Sequence, residues 1–408
     1  MGDILFLAHR VPYPPDRGDK IRGFHLLKYL AGKKRVHLIA FADDPADLRQ
    51  KDALKRYTGN RSIVWRSKAG IVAGLRALVQ RRPVSVVAFE NDTLRESVEN
   101  ILARHAIDTI FIFSGQMAQY LPARPRQRVI MDFVDMDSAK FAAYAKTARW
   151  PMSWVHGREA NLLQQFEKGV AARVDASLFV SEAEAQLFRD RTGAERVHVI
   201  ENGIDTDYYD PAAKFRRIET MEPLIVFTGQ MDYRPNIEAV TWFAEAILPH
   251  IRLVHPDARF AIVGRAPTDA VKALAKLPGV TVTGAVSDVR GWLAAASVVV
   301  APLKLARGIQ NKVLEGMAMA RPVVASGAAA EGIDHDGTIR VGSSVAEIAD
   351  AVNDLLSNPD HAAKLGEAAR AQVMARYSWE ARLAPLDAVL GLAPRHGRIE
   401  RSKRKTAA

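Results

Sequence analysis

Residues 302–325 read PLKLARGIQNKVLEGMAMARPVVA. The stretch leaves one apolar run, VVVA at 298–301, and closes on another, PVVA at 322–325. Between them lie a glycine-bearing loop and an amphipathic helical pattern. Strand, crossover helix and strand in that order predict a parallel pair, the repeating unit of a doubly wound sheet. Gly308 and Lys312 stand where the helix opens, with Glu315 three residues after Lys312 on a neighbouring helical position. A cation at an exposed helix N-terminus suits a phosphate, and a carboxylate one turn on can accept two hydrogen bonds from ribose hydroxyls. The ordinary alternative for this spacing is an i,i+3 ion pair on a surface helix.

The same alternation runs through nearly the whole chain. Strands are expected at 4–8, 36–41, 109–113, 129–132, 176–180 and 197–200, then at 224–228, 259–263, 280–283, 298–301 and 322–325. Eleven strands are too many for one ordinary open sheet, so two α/β units are expected. The break falls at 205–223, which holds Pro211, a charged stretch and no apolar period. The expected organisation is a Rossmann-like domain at 1–205, a linker at 206–222 and a second Rossmann-like domain at 223–377. A helix at 378–393 then packs back on the first domain, and a basic disordered tail occupies 394–408. Ligands in such sheets bind beyond the carboxyl ends of the strands, where the strand order reverses.

Two further loops bear on chemistry. Residues 9–22, HRVPYPPDRGDKIR, place Gly18, Asp19, Lys20 and Arg22 around a helix start, a setting for phosphate. This is not GxGxxG, so a dinucleotide fingerprint is absent. Residues 227–236, FTGQMDYRPN, end a strand on Gly229 and set Arg234 before a helix; glycine admits close backbone approach and Arg234 can fork onto phosphate oxygens. Ser181 with Glu184 reads as a capping box.

Composition limits the alternatives. The 408 residues include 57 Lys+Arg against 46 Asp+Glu, for a net charge of +11, and no cysteine. That excludes disulfides, thiolate metal sites and a cysteine nucleophile. No P-loop, GxSxG elbow or histidine metal spacing is present. No apolar run approaches the roughly 20 residues of a membrane span, and the N-terminus lacks a signal-peptide pattern, so a cytoplasmic protein is expected. Residues 49–82 carry ten cations against Asp52 alone. Within them Ile71, Val72, Leu75, Leu78 and Val79 share one helical face, with Arg76, Arg81 and Arg82 toward its edge. That pattern fits a core-facing helix with a solvated side, or docking to an anionic inner leaflet; the tail could do the same.

Taken together, 201–211 (ENGIDTDYYDP), 227–236, 280–290 (VTVTGAVSDVR) and 312–326 (KVLEGMAMARPVVAS) resemble the signatures of family 4 glycosyltransferases with the GT-B fold. The opening loop, 132–138 (DFVDMDS) and 307–315 (RGIQNKVLE) are similar to the sugar transferases linked to exosortase and exopolysaccharide loci. The resemblance implies retaining, metal-independent hexosyl transfer from a nucleoside-diphosphate sugar, with no other cofactor, to a lipid-linked or oligosaccharide acceptor. It implies that Arg234 and Lys312 hold the diphosphate, Glu315 the ribose, and that Gly18 approaches the donor phosphates; Gly229, Gly308 and Glu331 would also serve the donor. Two departures stand out. Arg307 occupies the place of the first of two glutamates eight apart, and where a catalytic-site histidine often follows the strand matching 129–132 this chain offers Asp132, Asp135 and Asp137. Asp135 is the candidate contact to a sugar hydroxyl. Asp135-Met136-Asp137 also resembles a metal-binding DxD, although loop carboxylates shaping an acceptor cleft fit better. A nucleotide-sugar epimerase of the same fold remains an alternative. A basic nucleic-acid-binding protein is another, though no nucleic-acid module or aromatic-basic platform is present.

Overall fold

A computed structural model describes residues 2–66, 70–306 and 308–392, with only the backbone of 70–73 and 75. The chain divides into two compact units: residues up to Asn202 together with those from Leu383 onward, and Gly203–Arg382.

The first unit is a seven-stranded parallel sheet of β1 (Asp3–Ala8), β2 (Val36–Ala42), β3 (Arg61–Trp65), β4 (Ile107–Phe113), β5 (Arg128–Val134), β6 (Ala176–Phe179) and β7 (Val197–Val199), ordered β3-β2-β1-β4-β5-β6-β7. Every residue of β2 is buried, as are Ile4–Ala8 of β1. Continuous apolar runs of this kind mean that helices cover both faces. The strand order reverses between β1 and β4, where Ile4 sits opposite Val36 on one side and Thr109 on the other.

The second unit repeats the plan with β8 (Leu224–Thr228), β9 (Arg259–Val263), β10 (Val280–Gly284), β11 (Val298–Ala301), β12 (Val323–Ala325) and β13 (Arg340–Val341), ordered β10-β9-β8-β11-β12-β13. All described pairings are parallel. The reversal falls between β8 and β11. Each unit is thus a doubly wound α/β sheet, as the alternation predicts.

Four expectations need correction. β3 lies inside the basic stretch, where its charged and polar flanks hide a strand at the sheet edge. β13 spans only two residues, too short for any period to show. The presumed linker is part of the second unit from Gly203 onward, and Tyr209 and Phe215 pack against its core. The closing helix is two short ones, Trp379–Leu383 and Leu386–Val389, separated at Pro385. The second belongs to the first unit, where Asp387 accepts from Tyr29 (2.7 Å) and Lys33 (2.6 Å) and Arg128 donates to the Val389 carbonyl (3.0 Å). The tail at 394–408 lies outside the described residues. No described helix is long and apolar enough to cross a membrane.

Candidate functional site

In the second unit the carboxyl ends of β8, β9 and β10 and the helix Asn311–Ala318 surround a cavity of about 580 Å³ at the reversal of strand order. Its floor is made by backbone. Gly229 N donates to the Val263 carbonyl (3.1 Å) and Met231 N to that of Arg265 (2.9 Å), so the turns after β8 and β9 lie against each other. A Cβ on Gly264 would stand 1.6 Å from the Gly229 carbonyl oxygen. Only glycine permits that approach.

One wall carries charge. Lys312, in the first turn of Asn311–Ala318, donates from Nζ to Asn236 Oδ1 at 2.6 Å and stands 4.8 Å from the centre of the Phe227 ring. Burial pulls its pKa down to about 8, opposed by the nearby Glu315 carboxylate. Glu315 accepts from Thr228 Oγ1 at 3.4 Å and from the Tyr209 hydroxyl, and burial pushes its pKa up against those partners and Lys312. Burial, then the Glu315 charge, raises the Tyr209 hydroxyl too. Arg265, which also lines the cavity, donates to Gln230 Oε1 at 3.0 Å. Val263, Val286, Val289 and Ile309 give the remaining lining an apolar face.

Gly229, Lys312 and Glu315 therefore come together here. Gly308 sits in the loop before the helix with φ +66°, a left-handed turn open to solvent where a side chain would be. Arg307 lies outside the described residues. Glu331 is exposed at the end of the short helix Gly327–Ala330, and the next residue, Gly332, adjoins Ile309 of the lining. Arg234 does not line the cavity: its side chain is 88% exposed and pairs with Glu238 at 2.8 Å. The turn of Arg234–Trp242 aims Asn236, not Arg234, at Lys312. Sequence reasoning missed Tyr209, Asn236 and Arg265. Tyr209 and Asn236 stand within quoted motifs, but only the fold shows which way they face.

The first unit places Gly18 at the start of the helix Gly18–Ala31, with nothing within 4 Å of where its Cβ would stand. The cations beside it are not free for phosphate, contrary to expectation. Lys20 is buried against Asp47 (2.7 Å), and Arg22, 2% exposed, donates to Asp132 (2.9 Å) and to Asn202 (2.9 Å). Asp19 is held by Arg10 and His9, with its pKa well below the ordinary carboxylate range despite burial. At the ends of β4 and β5, Ser114 (φ +78°) and Val134 (φ +71°) adopt left-handed backbone. For a β-branched residue that conformation costs on the order of 1–3 kcal/mol. Asp132 fixes it by accepting from Val134 N at 3.0 Å.

Asp135 follows immediately. Lys140 lies against it (2.8 Å) and against Asp137 (3.4 Å), so an ammonium already offsets part of the charge of the acidic pair. Ser181 caps its helix by accepting from Glu184 N, but Glu184 does not complete the box. Its carboxylate accepts from Met136 N (2.7 Å), steadying the Asp135 loop.

Two family models match this chain: Glycosyltransferase Family 4 over residues 23–208 and Glycosyl transferases group 1 over residues 222–358. Between them they cover every strand of the two sheets except β1. The chain is a family 4 glycosyltransferase. As such it acts on a nucleotide-sugar donor. It is 28% identical over 342 residues to the GDP-mannose-dependent alpha-(1-6)-phosphatidylinositol monomannoside mannosyltransferase of Mycobacterium tuberculosis, covering 78% of this chain and 84% of that one. Among solved structures it is similar to sucrose-phosphate synthase from Thermosynechococcus elongatus (TM-score 0.57, 18% identity, 95% of this chain and 98% of that chain). It is likewise similar to Anabaena HepE in complex with UDP (TM-score 0.56, 15% identity, 95% and 99%). At such identities the structural likeness shows the fold, which is GT-B.

Proposed function

We propose that this family 4 glycosyltransferase moves a hexosyl group from a nucleoside-diphosphate sugar to a lipid-linked or oligosaccharide acceptor of an exopolysaccharide or related glycan. Transfer proceeds with retention and without a metal. The observation that carries the reading is the half-buried Lys312 ammonium facing the glycine-lined floor between β8 and β9, with Glu315 one turn on. The bond between the anomeric carbon and the diphosphate oxygen breaks, and the acceptor oxygen bonds to that carbon on the same face. The acceptor proton passes to the departing diphosphate. Charge develops on that diphosphate, so Lys312, with Arg265 and Arg234, stabilises it where a metal serves elsewhere. Arg234 reaches it by leaving Glu238, an exposed i,i+4 pair that solvent screening keeps weak. Glu315 accepts from the ribose hydroxyls, the apolar lining takes the base, and Gly308 and Glu331 frame the donor.

The mannosyltransferase relative supports a lipid-borne acceptor, and the likeness to exosortase-linked transferases supports an exopolysaccharide one. The test is transfer from a panel of UDP- and GDP-hexoses to a polyprenyl-diphosphate-linked sugar in EDTA, with the product anomer read by NMR. An inverted anomer, activity restored only by magnesium, or donor turnover without acceptor would each overturn part of this reading.

A further inference from the structure

A helical hairpin leaves the sheet of the first unit after β5, with arms Asp137–Thr147 and Met152–Ala171. Its turn presents Trp150 (82% exposed), Trp154 (59%), Met152, Val155 and Tyr144 to solvent. Single exposed apolar residues need no explanation, but five large ones within twelve positions do. The arms are fixed to each other. Phe141, Tyr144 and His156 meet ring to ring at 5.8–6.0 Å, and a Cβ on Gly157 would touch that of Ala145 at 3.9 Å. The aromatic tip is therefore a built projection.

Its charge has one sign. From 138 to 158 the sequence holds Lys140, Lys146, Arg149 and Arg158 and no acid. Lys146 and Arg149 are exposed, and neither makes an ion pair among the described residues. A second apolar element adjoins it. Arg158 donates to the Ala77 carbonyl (2.9 Å), and Glu159 accepts from Val84 N and Ser85 N. Val155 shares that helix face one turn nearer the tip. Beside the contact, Leu78 and Val79 (86%) are exposed, with Arg81 free to solvent and Arg76 and Arg82 sharing Glu90.

We propose that the tip around Trp150 and Trp154, continued by Leu78 and Val79, inserts into the headgroup region of an anionic phospholipid bilayer. Indole rings favour that depth, with an apolar body and a polar edge. Lys146 and Arg149 sit where lipid phosphates would be. The chemistry separates this partner from two others. Met152, Val155, Leu78 and Val79 gain nothing from nucleic-acid phosphates, and a second copy of this chain would bring like charges together. The surface thus goes beyond the transfer reaction and does not depend on it.

The test is flotation of the full chain with vesicles of phosphatidylcholine alone and with added phosphatidylglycerol, in the absence of donor and acceptor. Wild type should float with the anionic vesicles, and brominated acyl chains should quench its tryptophan fluorescence. Each neutralised cation should weaken binding about fivefold, so K146Q/R149Q loses roughly 25-fold. W150S/W154S should lose about tenfold or more and most of the quenching, with an unchanged melting temperature and an unchanged thermal shift with nucleoside diphosphate. Anionic-vesicle binding equal to wild type in both variants overturns the proposal. So does binding to duplex DNA without binding to vesicles, or concentration-dependent dimerisation abolished by W150S/W154S. A lost nucleotide shift with vesicle binding intact would instead count against the transferase site alone.

Discussion

The Lys312 ammonium and the Asn236 side-chain carbonyl meet at 2.6 Å, joining the first turns of the two helices that flank the strand reversal of the second unit. Asn236 also donates to the Gln230 carbonyl at 2.9 Å. The lysine is therefore aimed by a side chain that is itself anchored to the glycine turn. Lys312→Ala should lower transfer by about 10²–10³-fold, the size of loss seen when one preorganised charge-stabilising donor is removed. Asn236→Ala should cost less, on the order of tenfold, because the charge stays while its aim is loosened. Steady-state kinetics with a soluble acceptor decides it, and a fully active Lys312→Ala enzyme would remove the diphosphate from this cleft.

The depressed pKa of Lys312 makes donor binding pH-dependent. Burial among protein groups alone lowers it from 10.5 to about 8. A bound diphosphate places negative charge beside the ammonium and moves the pKa back up. Below pH 8 the lysine is already charged and this group adds no dependence. Above pH 8 binding must bring a proton with it, so affinity for a nucleoside diphosphate should fall as pH rises, by up to about tenfold per unit. Calorimetry from pH 7 to 9.5 in buffers of different ionisation enthalpy would show the proton uptake. Lys312→Arg, charged throughout, should flatten the profile.

Arg234 and Glu238 give an asymmetric pair of substitutions. Glu238→Gln should leave transfer unchanged or raise it slightly, since it releases the arginine. Arg234→Ala should lower kcat by at least about tenfold while changing the melting temperature little, the pair being exposed. Equal effects from both would mean that Arg234 serves its helix and not the donor.

Gly264→Ala tests the floor. The added methyl group would meet the Gly229 carbonyl oxygen at 1.6 Å, so one of the two turns must move. A loss of roughly 1–3 kcal/mol is expected in urea unfolding, together with loss of nucleotide binding. Wild-type nucleotide affinity in this variant would show that the floor is not where the donor lies.

The buried pair of the first unit makes a stability prediction. Asp132 is fully buried and Arg22 nearly so, and Asp132→Ala would leave the guanidinium without its carboxylate. The expected cost is about 3–5 kcal/mol. Replacing both with apolar residues of similar volume should recover much of it, as a denaturant series on the two variants would reveal.

Both sheets were legible because their inner strands are uninterrupted apolar runs; nothing else in a soluble chain produces that pattern so regularly. β3 was not, since Arg61 and Ser62 break its run and an edge strand need not be apolar on both faces. In the site, Gly229, Lys312 and Glu315 could be read because glycine and a charged helix start have meaning in one dimension. Arg22 misled for the same reason. Beside a glycine it reads as a phosphate ligand, and only the fold brings Asp132 and Asn202, 110 and 180 residues away, to meet it. Arg265 and Tyr209 carry no local signal, since their place depends on which strand ends converge. The apolar hairpin tip hid among alanines in a stretch whose period suggests nothing beyond an ordinary helix pair.

The second unit is one unbroken span of chain, whereas the first is sewn from two pieces joined through Asp387, Tyr29 and Lys33. The second unit therefore needs no segment from elsewhere in the sequence to complete its sheet or its cavity. The first unit differs: a stop codon before Leu383 would strip it of its closing segment and remove the carboxylate that Tyr29 and Lys33 share.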